Sequence, residues 1–128
     1  MAWNVERLRH VDAIAATIAG QAPHVVLLSE VDKGMARSGN GHLLSRLADR
    51  LGHSYAYGVE FLELGTGNEA EQAANGGGAN AEDFHGNAIT SAVALLRPFS
   101  FASTPPAPGS CRSTASRASA AAWRSAAR

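Results

Sequence analysis

Two short segments of this chain end apolar runs in oxygen donors. Trp3-Asn4-Val5-Glu6 brings an amide, and Val25-Val26-Leu27-Leu28-Ser29-Glu30-Val31-Asp32 brings carboxylates about 25 residues later. A hard divalent cation takes oxygen ligands, so an amide at the end of one strand and a carboxylate at the end of the next can meet over such an ion. That chemistry would sit at the carboxyl ends of neighbouring strands. Read singly, each residue also has an ordinary use. Asn4 suits a turn in which it bonds its own backbone, Glu30 a solvated strand end, and Asp32 a turn or a contact behind the ligands. Glu60 and Glu63 suit exposed acids or groups that orient a substrate contact. His10, His24, His42 and His53 show no ligand spacing and are expected at the surface.

The elements that must position these donors follow from periodicity. Leu8, Val11, Ile14, Ala15 and Ile18 share one helical face, and Gly20 with Pro23 supplies a stop. Val25 to Leu28 is a branched, apolar run expected as a strand buried on both faces. Leu43, Leu44, Leu47, Ala48 and Leu51 mark a second helix with Gly52 behind it. Tyr55, Tyr57, Val59 and Phe61 alternate with smaller or polar residues, the period of a half-buried strand. Residues 63–83 are rich in Gly, Ala, Asn and Glu and predict a long mobile loop. That loop is not a phosphate cradle, because it lacks Gly-x-x-x-x-Gly-Lys and a helix start. Phe84-His85-Gly86-Asn87-Ala88-Ile89 returns to strand chemistry, expected to run on through Val93, Leu95 and Leu96.

At 128 residues the chain is one domain at most. Its formal charge of zero divides unevenly, with seven basic against 11 acidic residues through Arg97 and four arginines without an acid beyond it. An acidic body with no basic patch disfavours general affinity for nucleic acid, which needs clustered Lys and Arg, although a metal can carry positive charge to a phosphate. The single cysteine, Cys111, excludes an internal disulfide and a Cys-based metal cluster. No apolar run reaches the 18 or so residues of a transmembrane helix, and Met1-Ala2-Trp3-Asn4 is not a signal peptide. The compartment is open, the cytoplasm being the default, and an upstream segment missing from the sequence is one expectation. Residues 98–128 are a low-complexity Ser/Ala/Arg/Pro tail, expected as disorder or as out-of-frame translation.

In order, Trp3-Asn4-Val5, Pro23 to Asp32, Tyr57-Gly58-Val59-Glu60-Phe61 and His85-Gly86-Asn87-Ala88-Ile89 resemble the endonuclease/exonuclease/phosphatase superfamily. The resemblance covers about residues 3–97, with 1–97 as a partial domain. It implies an α/β (α+β) fold, the first half of a four-layer α/β/β/α sandwich. It also implies a phosphoesterase that uses magnesium or manganese, with Asn4 and Glu30 as metal ligands. Arg37 and Asn40, in the loop after the metal Glu, would contact the substrate phosphate, as would His85 and Asn87 beside the site. Ser29 stands where the family often has Gln, and Thr90-Ser91-Ala92 where it often has Leu-Ser-Arg, which bears on substrate contacts. The family's later Gly-Asp-x-Asn and Ser-Asp-His motifs have no counterpart here.

The expectation is therefore a fragment of a metal-dependent phosphoesterase, acting on a phosphate ester of open class and inactive as this chain. The alternative is a non-catalytic truncated product or an interaction fragment that self-associates through an exposed sheet. A third reading, a small nucleotide-binding module, lacks a Gly-rich fingerprint.

Overall fold

A computed structural model describes residues 1–96, so the tail expected over 98–128, with Cys111, lies outside the described residues. The chain forms β1 (Ala2–Asn4), α1 (Val11–Gln21), β2 (Val25–Lys33), α2 (Leu43–Leu51), β3 (Ser54–Leu62), α3 (Glu69–Ala74) and β4 (Phe84–Ser91). The strands make one mixed sheet in the order β1-β2-β4-β3. β1 and β2 are parallel, while β4 runs antiparallel to both β2 and β3. Three strands thus point the same way with β4 inserted against them. Their carboxyl ends and the start of β4 share one end of the sheet.

The helices cover one face. Ile14 and Ile18 of α1 and Leu43, Leu44 and Leu47 of α2 close over Val26, Leu28, Val31, Tyr57 and Ala88 in one core. Each buried Leu or Ile contributes roughly 1.5–3 kcal/mol, so the two amphipathic helices hold the sheet by this stripe. Gly52 ends α2 in the left-handed conformation, φ 65°, as its position after Leu51 predicts. The other helix stop differs: Gly20 lies inside α1, and Ala22 takes the left-handed cap instead, φ 45°.

The opposite face of the sheet is open, and there the expectation for β2 fails. Leu27 is 52% exposed, so over Val25 to Leu28 β2 is buried on its helix side alone, whereas past the bulge Val31 and Asp32 are buried on both sides. The strand also continues beyond Leu28 to Lys33, past a bulge. β4 stops at Ser91 rather than running to Leu96, because the Ser91 hydroxyl accepts from the Val93 amide and turns the chain. Val93 and Leu96 are exposed. One sheet with helices on one side corresponds to the first half of the expected four-layer sandwich.

The 63–83 segment contains α3, which begins in a capping box between Asn68 and Glu71. It is fastened by polar bonds instead of apolar burial. Asn80 bonds the Ala36 amide, the Gly65 carbonyl and Asp83, Lys33 pairs with Glu82 at 2.7 Å, and Arg7 meets Glu71 at 3.2 Å.

Candidate functional site

Asn4 ends β1, and Glu30 lies in the β2 bulge beside it. Leu28 faces Ala88 of β4 and Val31 faces Gly86, so Ser29 and Glu30 together oppose the single residue Asn87. Such a bulge re-aims a side chain. Glu30 has φ 58°, a conformation that costs a non-glycine residue roughly 1–3 kcal/mol and clusters at functional sites. Its Oε1 accepts from Asn4 Nδ2 at 2.7 Å. Asn4 Oδ1 accepts from the Glu6 amide at 3.0 Å, so Asn4 makes the turn expected of it while it also bonds Glu30. Beyond it Glu6, Arg7 and Leu8 form a left-handed turn with φ of 46°, 69° and 58°, anchored by the buried Leu8.

Two residues beyond Glu30, β2 carries a second polar group, fully buried Asp32. Arg37 donates to it through Nε at 2.8 Å and Nη2 at 2.9 Å, and reaches Glu63 at 2.7 Å through Nη1. His85 Nδ1 lies 2.7 Å from the same Asp32 carboxylate. An ionised carboxylate only accepts, so this nitrogen carries a proton. The 3.4 Å approach of Arg37 Nη2 to Nδ1 is then a contact between two donors, not a hydrogen bond. Phe61 packs against the imidazole with centroids 4.8 Å apart. Burial pushes the Asp32 carboxyl up, but the bonds and charges of Arg37 and His85 outweigh it and hold the group below its ordinary value.

The structure brings Asn4 and Glu30 together and gives Arg37 and Asn40 other work. Arg37 is buried, its fork spent on Asp32 and Glu63 rather than open to a phosphate. Asn40, φ 56°, donates to the Ala79 carbonyl and accepts from the Ala81 amide, which pins the loop after β2 to the 63–83 segment. His85 is buried against Asp32. Asn87 is exposed on the open face, where with Asn4 and Ser29 it lines a shallow depression of about 550 Å³. Two histidines expected at the surface have structural contacts: His42 Nδ1 caps α2 by accepting from the Ser45 amide, and His53 meets Thr90. Among the described residues no three His, Cys, Asp or Glu side chains converge as a metal cluster, and no helix is long and apolar enough to cross a membrane.

A mixed sheet with helices on one face and polar groups gathered at its strand ends defines the class. A crystal structure of an endonuclease/exonuclease/phosphatase from Beutenbergia cavernae DSM 12333 is similar, with a TM-score of 0.50 and 25% identity over 70% of this chain. This chain spans 24% of the length of that protein, as an amino-terminal part would. The chain thus resembles the endonuclease/exonuclease/phosphatase superfamily in structure as well as in its motifs. No family model and no curated protein matches it.

Proposed function

We propose that the chain is the amino-terminal part of a magnesium- or manganese-dependent phosphoesterase, in which Asn4 and Glu30 hold the ion. The observation that supports this reading is the placement of Asn4 beside Glu30, within 2.7 Å through Asn4 Nδ2, on a bulge at the carboxyl ends of parallel strands; an ion would take the Glu30 carboxylate and the lone pair of Asn4 Oδ1 that the Glu6 amide leaves free. The donor set fits. Magnesium favours one or two carboxylates with water and phosphate oxygens over a closed protein cage, and a single carboxylate with an amide leaves those positions open. Once bound, the ion would polarise a phosphate oxygen and offset charge that develops as water attacks phosphorus.

The chain's own residues orient and support. The bulge aims Glu30 toward β1, the Glu6 amide holds Asn4, and the Arg37–Asp32–His85 cluster fixes β2, β4 and the following loop behind them. The sequence contains no counterpart of the family's water-activating Gly-Asp-x-Asn. A positioned acid or base typically contributes a factor of about 10² to 10⁴ in rate, so the polypeptide binds the ion and turns substrate over at near-background rate.

Hydrolysis of bis(4-nitrophenyl) phosphate with and without Mg²⁺ tests this. The expected rate is close to that of Mg²⁺ in buffer. Clear metal-dependent turnover that Glu30→Ala abolishes would overturn the inactivity while supporting the site. Turnover that is equal in Glu30→Ala would remove Glu30 from it.

A further inference from the structure

The Asn4–Glu30 couple has a counterpart on the other half of the sheet. Asn87 of β4 donates through Nδ2 to Glu60 of β3 at 3.2 Å. The sheet order β1-β2-β4-β3 therefore presents Asn, Glu, Asn and Glu in a row, one residue per strand. Both glutamates sit at interruptions of the ladder. On β3, Val59 faces Gly86 and Phe61 faces His85, so Glu60 is the extra residue, on the other side of Gly86 from the Ser29–Glu30 bulge of β2, which opposes Asn87. The close approach of β3 requires Gly86: a Cβ there would collide with the Gly58 carbonyl oxygen and lie 3.1 Å from the Glu60 amide nitrogen. Two bulges flanking one strand, at the end of the sheet that holds the candidate ligands, re-aim two carboxylates.

Strand spacing decides what the second couple can do. Neighbouring strands lie about 4.8 Å apart, so the backbones of β2 and β3, with β4 between them, are separated by roughly 10 Å. Glu30 leans toward β1 and Glu60 toward β4, each following its asparagine. Ions that share a phosphate stand about 3.5–4 Å apart, so this arrangement does not make the couples joint ligands of one metal pair. The depression beside Asn4 and Ser29 is bounded on β4 by Asn87, so an ester group that extends over β4 from a phosphate at Asn4 and Glu30 would meet Asn87, with Glu60 bonded to it from β3. Asn87 spends an N–H on Glu60, which leaves the Asn87 Oδ1 and the Glu60 carboxylate as acceptors at the far end.

We propose that Glu60, with Asn87, is a specificity-determining pair that accepts hydrogen bonds from a donor group on the alcohol portion of the ester, a hydroxyl or an ammonium. The inference rests on the metal site proposed for Asn4 and Glu30. Bonds to a charged acceptor are about twice as strong as neutral ones, so esters that carry such a donor bind more tightly than those without.

The test is binding of glycerol 3-phosphate, O-phosphoethanolamine and methyl phosphate to the full chain with Mg²⁺, followed in amide spectra, with Mn²⁺ binding measured separately. At least fivefold tighter binding of glycerol 3-phosphate than of methyl phosphate assigns a hydroxyl. The same preference for O-phosphoethanolamine assigns an ammonium. Glu60→Ala should bring the ratio to about one and leave methyl phosphate and Mn²⁺ affinities unchanged, while Glu60→Gln, which keeps the shape, should fall between. Equal binding of all three esters by the native chain, or a preference that survives Glu60→Ala, overturns the proposal with the metal site intact. Failure to bind Mn²⁺ or any ester overturns the metal-site reading, and this one with it.

Discussion

Arg37 spans Asp32 and Glu63, so its removal would leave Asp32, fully buried, without its counter-charge. Breaking a buried pair from one side costs about 3–5 kcal/mol, and Arg37→Met is expected to lose stability of that order in urea titration. A loss under about 1 kcal/mol, the range of exposed pairs, would show that the cluster does not hold β2 to β4. The same residue marks where the sequence was readable and where it was not. The proximity of Asn4 and Glu30 was legible because apolar runs on neighbouring strands end near them. Arg37 and Asn40 are polar residues beside that site, which suggested phosphate contacts. Their actual partners include Glu63, Ala79 and Ala81, brought close only by the return of the chain into β4.

At the scale of elements, both long helices were legible from their apolar faces, and β3 was legible up to its bulge. Tyr57 is buried, whereas Val59, still in register two residues on, is 40% exposed, and Phe61, displaced by the extra residue Glu60, is 47% exposed. A glycine inside a strand is a signal of such a break, and Gly58 and Gly86 supply it on both sides of the bulge. α3 escaped because its six residues bury no apolar face and depend on the Asn68–Glu71 capping box. The start of α2 carries a pH dependence. Burial, then the charge of Lys33, lowers the pKa of His42 from its ordinary value, and its Nδ1 must stay unprotonated to accept from Ser45. The unfolded chain takes up this proton near the ordinary value of 6.5 and the folded chain only at lower pH. The stabilisation is therefore complete above about pH 6.5 and is lost as pH falls through the folded value. His42→Asn keeps a capping side chain and should flatten the stability profile between about pH 7 and 5. An unchanged slope in thermal melts across that window would place the dependence elsewhere.

Across the whole molecule, one helix-covered face and one open face leave β3 at a sheet edge with Val59, Phe61 and Leu62 exposed. A long apolar edge is a template for pairing with another strand. The chain is expected to self-associate with rising concentration in light scattering coupled to gel filtration, and Val59→Lys with Leu62→Lys should shift it toward monomer. A monomer at every concentration would contradict this. Such a surface was foreseeable from the motifs, since four of them in order imply only the first half of a sandwich. The alignment of four polar residues across four strands was not, because it depends on two bulges whose levels are set by pairing with β4.

The central claim is that Asn4 and Glu30 form a divalent-cation site. Manganese titrated into ¹⁵N-labelled protein tests it most directly, since the paramagnetic ion broadens the amides around it. The expected result is broadening centred on Asn4, Val5, Ser29 and Glu30, lost in Glu30→Ala while the signals of Asp32 and His85 show the fold intact. Broadening unchanged in Glu30→Ala, or centred on Asp32 and His85 instead, would contradict the account.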